Sequence, residues 1–106
     1  MLERDEYIRK LLAAYRTTPD TSGLVRRGDR MLAEQLYERA VPLTAVLNAL
    51  VLAAARRLSR AGDAPPLPPV RSLAYFVAII DEVLRTEVGQ DYYDHLRNSL
   101  PPLTPR

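Results

Sequence analysis

Apolar positions along this chain recur at the spacing of helices. Over residues 3–16 they return every three or four positions, which puts one apolar stripe on a helix that faces a core. The stripe consists of Ile8, Leu11, Leu12 and Tyr15. Because no window alternates apolar and polar residues in the two-residue period of a half-buried strand, the pattern predicts an all-α fold.

Two more helices are predicted in the middle of the chain. One covers about residues 29–39, with Asp29 as its N-cap and with Leu32 and Leu36 on its buried stripe. The other covers about residues 43–60 and is apolar on nearly every side. Since a helix of that kind is normally surrounded by other elements, we expect it to lie in the middle of the core.

A fourth helix is predicted over about residues 72–86, with Ser72 as its N-cap, and Asp91 caps a short fifth helix. The core-facing positions of the fourth helix are Leu73, Phe76, Val77, Ile80, Val83 and Leu84. Short connections favour antiparallel neighbours, so we expect a small antiparallel bundle of four main helices plus the short C-terminal helix. This bundle is a single domain over residues 1–100, and residues 101–106 form an extended tail.

The stretch "AGDAPPLPP" (residues 61–69) separates the third helix from the fourth. Proline cannot continue a helix and favours an extended chain, so this stretch is expected to be a stiff connector. It also contributes to the P-x-x-P-x-R pattern of a polyproline ligand, formed by Pro66, Pro69 and Arg71. A rigid connector, which we favour, and a ligand motif are both compatible with the sequence.

Composition excludes several classes of protein. The 106 residues include no cysteine, which rules out disulfides and thiolate metal sites and fits a reducing compartment. The N-terminus is charged from its third residue, unlike a secretory signal. The longest apolar run contains Asn48 and ends at Arg56, which is too short to span a bilayer. We therefore expect a cytoplasmic protein with no membrane partner.

Groups suited to catalysis are sparse. His95 is the one histidine, and it falls on the short fifth helix. Asp81 and Glu82 are sequence neighbours, so they point in different directions on a helix. The sequence contains no zinc-protease motif, Gly-rich phosphate loop or nucleophile elbow. It therefore predicts no catalytic residue, no metal site and no cofactor, and the protein is not expected to be an enzyme.

The net charge of +2 conceals an uneven distribution. Residues 26–60 hold seven arginines against three acids, whereas residues 72–106 hold five acids against three arginines. Antiparallel packing would join the arginines at the start of the second helix to those at the end of the third. The predicted patch comprises Arg26, Arg27, Arg30, Arg56, Arg57, Arg60 and Arg71. Such a patch would bind nucleic-acid phosphates without reading bases, unless these arginines are solvated or paired with acids.

A helix-turn-helix over residues 32–50 is a second hypothesis for nucleic-acid binding. It would place Ala40 and Val41 in the turn and Val46 at the buried position of the second helix. The turn lacks the usual glycine, and Asn48 is the one strong base-reading side chain on a very apolar helix. We therefore favour contacts with the phosphate backbone over readout of a duplex sequence.

The segment "RSLAYFVAII" contains Ser72, then Tyr75, then Ile79 four positions later. With the order helix, turn, long helix, loop and helix over residues 32–84, this segment resembles the C-terminal helical domain of DnaD-type replication initiation proteins. That family also has a tryptophan later in the helix; this chain has none, and Val83 lies at about that position. The resemblance, which extends to small helical proteins of mobile genetic elements, implies DNA binding, particularly to single strands, in support of replication or recombination. Helical spacing puts Tyr75 at the edge of the core, with its ring buried and its hydroxyl reaching either a polar partner or solvent.

Two functions follow from these observations. The first is a non-catalytic nucleic-acid-binding accessory protein that uses the arginine patch. The second is a protein-interaction or assembly subunit, either a homo-oligomer or a small helical part of a nucleoprotein complex. Its basis is the surplus of apolar positions on the third helix and the presence of Tyr92, Tyr93 and Leu96 on the fifth, which so small a chain has difficulty covering.

Overall fold

A computed structural model describes residues 2–60, 63–86 and 88–100, and these residues form an all-α helical bundle without a β-strand. This confirms the predicted fold class. A 3-10 helix leads directly into the fourth α-helix, where the sequence predicts one continuous helix. The elements in chain order are α1 (Arg4–Thr17), α2 (Arg27–Glu38), α3 (Leu43–Leu58), the 3-10 helix (Leu73–Phe76), α4 (Val77–Arg85) and α5 (Gln90–Ser99).

Helix α3 is the centre of the bundle. It packs against α1, α4 and α5, and every residue from 48 to 54 is buried. The prediction of a central helix is therefore confirmed. The prediction that this helix has more apolar groups than the chain can cover is wrong over residues 45–54, because three neighbouring helices cover that stretch. Leu58, at the C-terminal end of the helix, stays half exposed.

The predicted core stripes are mostly correct, with one clear exception. All four members of the α1 stripe are buried, as are Leu36, Phe76 and Ile80. Leu84, in contrast, is 45% exposed, because α4 is only nine residues long and ends one residue later. Leu32 packs against the edge of the core and is half-buried.

Two of the three predicted N-caps are wrong. Helix α2 begins earlier than expected, with Arg26 at the N-cap, and Asp29 is the third residue of the helix. Helix α5 likewise begins earlier, so that Gly89 is its N-cap and Asp91 lies in its first turn. In both helices the carboxylate still lies near the positive end of the helix dipole. For this reason each aspartate predicts the start of its helix to within a few residues.

Ser72 is the N-cap that the sequence places correctly. Its backbone is extended, and its Oγ accepts a hydrogen bond of 3.1 Å from the N–H of Ala74. The residues that follow form the 3-10 turn, in which Leu73 and Phe76 lie three positions apart and are both buried. Buried side chains at the start of this element therefore follow the three-residue period of a 3-10 helix. The sequence predicts the 3.6-residue period of an α-helix over the whole element.

The connection between α2 and α3 is a Schellman motif. The N–H of Val41 donates to the carbonyl of Leu36, and the N–H of Ala40 donates to the carbonyl of Tyr37. Ala40 has a φ of 58°, the left-handed conformation that glycine usually supplies at this place. The hydroxyl of Tyr7 then donates a 2.7 Å hydrogen bond to the carbonyl of Val41, which ties the turn to α1.

The proline connector is fastened to the loop between α1 and α2. Val70 forms an isolated parallel bridge with Thr21: its N–H donates to the carbonyl of Asp20, and its carbonyl accepts from the N–H of Ser22, both at 2.8 Å. Val70 is 4% exposed, so the connector ends inside the core. The first two residues of the predicted connector, 61 and 62, and the predicted tail at 101–106 lie outside the described residues.

None of the helices among the described residues combines the length and the apolar composition that a bilayer crossing requires.

Candidate nucleic-acid interface

The arginines at the C-terminal end of α3 are held by other parts of the chain. Arg56 forms a bidentate ion pair with Glu82 of α4. Arg60 donates a 2.9 Å hydrogen bond from Nη1 to the carbonyl of Pro65. Arg57 is the most enclosed of the three, since its side chain is only 8% exposed. Much of the donor capacity of these side chains is therefore used within the fold.

Arg57 joins three separate segments of the chain. Its Nε donates to Asp20 Oδ2 at 2.7 Å, its Nη2 to the carbonyl of Pro68 at 2.7 Å, and its Nη1 to the hydroxyl of Tyr75 at 3.3 Å. The guanidinium carbon also lies 5.5 Å from the centroid of the Tyr75 ring, within the range of a cation–π contact. These contacts give Arg57 a structural role.

Of the two predicted surroundings for the Tyr75 hydroxyl, a polar partner or solvent, the structure shows a polar partner, Arg57, but the predicted burial of the Tyr75 ring is wrong. Tyr75 is 46% exposed, and it packs edge-to-face on Phe76 with ring centroids 5.2 Å apart. The reason is the 3-10 turn. With three residues per turn, Leu73 and Phe76 share the inward face, and Tyr75 projects from another side.

The arginines at the start of α2 have a different environment. Arg26, Arg27 and Arg30 are exposed, and no carboxylate among the described residues forms an ion pair with them. The nearby acid in sequence, Asp29, is buried and uses its carboxylate on backbone N–H groups instead. These three guanidinium groups are therefore available to an external anion.

Arg30 contributes to a cationic groove that the sequence does not predict. The groove has a volume of about 410 Å³ and lies between α1 and the segment that leads into α2. Arg9 and Arg16 line it together with Arg30, and none of the three has an ion-pair partner in the described part of the chain. The other lining residues are Asp5, Ile8, Leu12, Ala13 and Val25. We call this the arginine groove, since it is lined by three cations, one acid and four apolar side chains.

A signal for the arginine groove is present in the sequence. Arg9 and Arg16 are seven residues apart on α1, which is almost two helical turns, so they lie on one face about 10 Å apart along the axis. The sequence cannot show that Arg30 of α2 lies opposite that face. That depends on the packing of α1 against α2.

The predicted single patch is divided between two grooves. Arg30 lines the arginine groove, whereas Arg56, Arg57 and Arg60 line a separate groove of about 220 Å³. The prediction assumed that α2 and α3 pack side by side, but α2 packs mainly against α1 and the 3-10 helix. Arg71 is exposed on the surface, as expected, and lines neither groove.

Asn48 is not available as a base-reading side chain. It is 6% exposed, and its amide exchanges two hydrogen bonds with the amide of Gln90 on α5, at 2.9 and 3.0 Å. The side chain therefore joins α3 to α5. Since α3 is enclosed by other helices, it cannot enter a major groove, and the helix-turn-helix hypothesis is wrong for this pair of helices.

Across residues 2–60, 63–86 and 88–100, no three side chains of the metal-binding types come together in a way that could hold a metal ion. His95 lies on the exposed side of α5. Comparison of the chain with protein-family models, with curated proteins and with solved structures finds no match, so the resemblance to DnaD-type proteins stays a prediction.

Proposed function

We propose that this protein is a non-catalytic nucleic-acid-binding accessory protein that contacts the phosphate backbone through the arginine groove. The observation that carries the proposal is the convergence of Arg9, Arg16 and Arg30, three cations against the single acid Asp5, with no ion pair to any of the three among the described residues. Arg26 and Arg27, at the adjacent start of α2, extend the same cationic surface. A cytoplasmic role in replication or in the recombination of mobile elements is part of this proposal.

The chemistry of the groove suits phosphate better than bases. A guanidinium donates two parallel hydrogen bonds to phosphate oxygens, so three of them can hold successive phosphates along a strand. Sequence readout needs side chains that reach base edges, and the one candidate, Asn48, is buried. We therefore expect binding that varies little with base sequence and falls as salt is raised.

Fluorescence anisotropy with labelled single-stranded DNA, duplex DNA and single-stranded RNA tests this function. At about 50 mM salt we expect measurable binding, with a log–log salt slope of about −0.7 to −0.9 for each phosphate neutralised. Replacing Arg9, Arg16 or Arg30 by Ala should weaken binding to all sequences alike and reduce the slope by about one phosphate.

Arg85→Ala, an exposed arginine at the end of α4, is the matched control and should bind as the wild type does. The proposal fails if no nucleic acid binds at about 50 mM salt, where phosphate contacts are strong. It also fails if Arg85→Ala weakens binding as much as Arg16→Ala does.

A second candidate function, an assembly subunit, is favoured by apolar groups on another face. Two grooves adjoin Arg56: one includes Leu67 and Tyr75, and the other includes Val88 and Tyr92. All four of these side chains are between 39% and 48% exposed. Neighbouring exposed apolar groups are typical of interaction surfaces.

Light scattering on the purified protein tests for a homo-oligomer. If this second function is correct, the wild type is larger than a monomer, and Tyr75→Ser combined with Tyr92→Ser returns it to the monomer mass. A wild type that is monomeric at all accessible concentrations argues against self-assembly.

A further inference from the structure

The segment from Ala64 to Arg71 has the sequence of an extended polyproline helix. Four of its residues precede a proline, which disfavours the α-helical region for them, and the four prolines have φ restricted to near −65°. The described backbone from residue 65 to 69 is neither helix nor strand. A polyproline helix has three residues per turn, so the side chains of this segment fall on three faces.

One of the three faces is turned toward the protein. Val70 is buried at 4% exposure, and Leu67, three positions earlier, lines the groove beside Ala53 and Tyr75. The prolines on the other two faces are all exposed; they are Pro65, Pro66, Pro68 and Pro69. Val70 thus anchors the end of this face in the core, Leu67 packs against the groove while staying 42% exposed, and the two adjacent proline faces are open to solvent.

The backbone carbonyl groups follow the same period. The carbonyl of Pro65 accepts from Arg60, and the carbonyl of Pro68, one turn later, accepts from Arg57 at 2.7 Å. Two α3 arginines thus fasten the segment along one edge. The intervening carbonyls of Pro66 and Leu67 accept no hydrogen bond among the described residues and are available to an outside donor.

We infer that this segment is a preformed ligand for a polyproline-binding groove lined with aromatic side chains and bearing an acidic residue. Such grooves take two X-Pro pairs into neighbouring pockets and an arginine into an acidic pocket. Here Pro65–Pro66 and Pro68–Pro69 are the exposed pairs, and Arg71 follows the second pair at the spacing of the P-x-x-P-x-R pattern. The residues that a polyproline-binding groove does not contact are Leu67, which lies against the chain's own surface groove, and Val70, which is buried in the core.

The anchoring explains how a connector inside a domain can also be a ligand. A free proline-rich peptide loses conformational entropy when it docks, whereas this segment is already ordered by Arg57, Arg60 and the bridge at Val70. Arg71 is exposed and forms no ion pair in the described part of the chain. The segment can therefore be both a connector and a ligand, because the contacts with the rest of the chain and the contacts with a partner involve different faces of it.

A titration of the full chain into purified SH3 domains tests this inference. The panel consists of domains that carry a tryptophan in the groove and acidic residues at its arginine-binding end. Because the chain contains no tryptophan, any change in tryptophan fluorescence reports on the groove alone. We expect saturable binding to at least one domain, and we expect Pro66→Ala, Pro69→Ala and Arg71→Glu each to weaken it by about tenfold or more.

Arg85→Glu, which changes an exposed arginine on α4, is the matched control and should bind as the wild type does. A charge exchange sharpens the test: Arg71→Glu should regain binding to a domain whose acidic residues are replaced by lysine. Arg71→Glu and Arg85→Glu should keep the wild-type melting temperature, since both side chains are exposed. Each proline substitution should lower it by only a few degrees, through the greater entropy of the unfolded chain, and leave the protein folded at the temperature of the titration. The inference is overturned if no domain responds at about 1 mM chain, or if Arg71→Glu binds as tightly as Arg85→Glu.

Discussion

At the scale of single residues, Asp29 shows how a polar side chain can hold two distant parts of the chain together. Its carboxylate accepts a 2.8 Å hydrogen bond from the N–H of Arg26 and a 2.9 Å hydrogen bond from the N–H of Leu73. The residue is only 3% exposed, and its bond to the Leu73 N–H is buried, so that donor would lack a partner without it. Asp29 therefore connects the start of α2 to the start of the 3-10 helix, a role that the sequence does not show.

Replacing Asp29 by alanine is expected to lower the free energy of unfolding by about 3 kcal/mol, because two charge-assisted hydrogen bonds are lost, and the Leu73 N–H is left buried without a partner. Asp29→Asn should cost less, since its amide oxygen can still accept one of the bonds. Urea denaturation followed by circular dichroism measures both. Asp91→Ala, at an exposed first-turn carboxylate, is the control and should cost less than about 1 kcal/mol. Equal losses for Asp29→Ala and Asp91→Ala would show that Asp29 only complements a helix dipole.

At the scale of elements, the turn between α2 and α3 carries backbone strain. Ala40 is left-handed, a conformation that costs an L-residue about 1 kcal/mol or more relative to glycine. Ala40→Gly is therefore expected to raise the free energy of unfolding by about 1 kcal/mol. Thermal and urea unfolding measure this change.

Ala55→Gly provides the matched control for that prediction, because Ala55 lies inside α3. The same substitution should destabilise there by about 1 kcal/mol, since glycine is the poorer helix former. If both variants lose stability, the left-handed backbone at Ala40 is not a source of strain.

The ion pair between Arg56 and Glu82 joins α3 to α4 and makes their packing depend on pH. The hydrogen bond from Arg56 lowers the pKa of Glu82 below its ordinary value. A lowered folded-state pKa means that the pair contributes stability above the ordinary glutamate pKa and loses it as pH falls through the lowered pKa. Wild type should therefore melt above Glu82→Gln at neutral pH, and the difference should vanish in acid.

Melting curves of the two proteins at stepwise lower pH measure this effect, and added salt should reduce the difference at neutral pH because both side chains are partly exposed. The wild type and Glu82→Gln could instead differ in melting temperature by the same amount down to pH about 2, well below the ordinary carboxyl range. That result would mean that the ion pair contributes nothing to the stability of the fold.

At the scale of the whole molecule, the arginines divide into structural and available groups. Arg57 is enclosed and bonded to three segments, whereas Arg16 lies in the arginine groove without an ion-pair partner among the described residues. In the sequence, the charge and spacing of the α3 arginines resemble those of the α2 group and predict a ligand-binding role for both. Only the positions of Asp20, Pro68 and Glu82 in the folded chain distinguish them.

This division predicts opposite effects for two arginine-to-alanine substitutions. Arg57→Ala should lower the free energy of unfolding by about 2 kcal/mol, through lost hydrogen bonds to a largely buried guanidinium. Its affinity for nucleic acid should stay close to that of the wild type while the protein is folded. Arg16→Ala should leave stability within about 0.5 kcal/mol, as is usual for surface changes, and reduce affinity. Denaturation and anisotropy on the same preparations check both, and the reverse pattern would mean that the two groups are wrongly assigned.

The sequence by itself determined the features that depend on local periodicity and on single residue types. Helix spacing in α1 and the apolar character of α3 predict elements that form close to the expected bounds, because amphipathic and fully apolar patterns have few other stable arrangements. The prolines likewise determine an extended connector, since proline restricts φ wherever it stands. Ser72 caps the helix start that its side chain predicts.

Only the tertiary structure decided what each exposed or polar side chain meets. The sequence predicts Asn48 as a candidate base contact, but in the folded chain Gln90 of α5 hydrogen-bonds to it. The sequence likewise predicts Arg57 as a phosphate ligand, but in the folded chain it is bonded to Asp20 and Tyr75. The arginine groove needs Arg30 to lie across from α1. These contacts join residues far apart in the chain, and their partners depend on which helices pack together. Local propensity does not contain that information, because it is the same for every packing that buries the same apolar stripes.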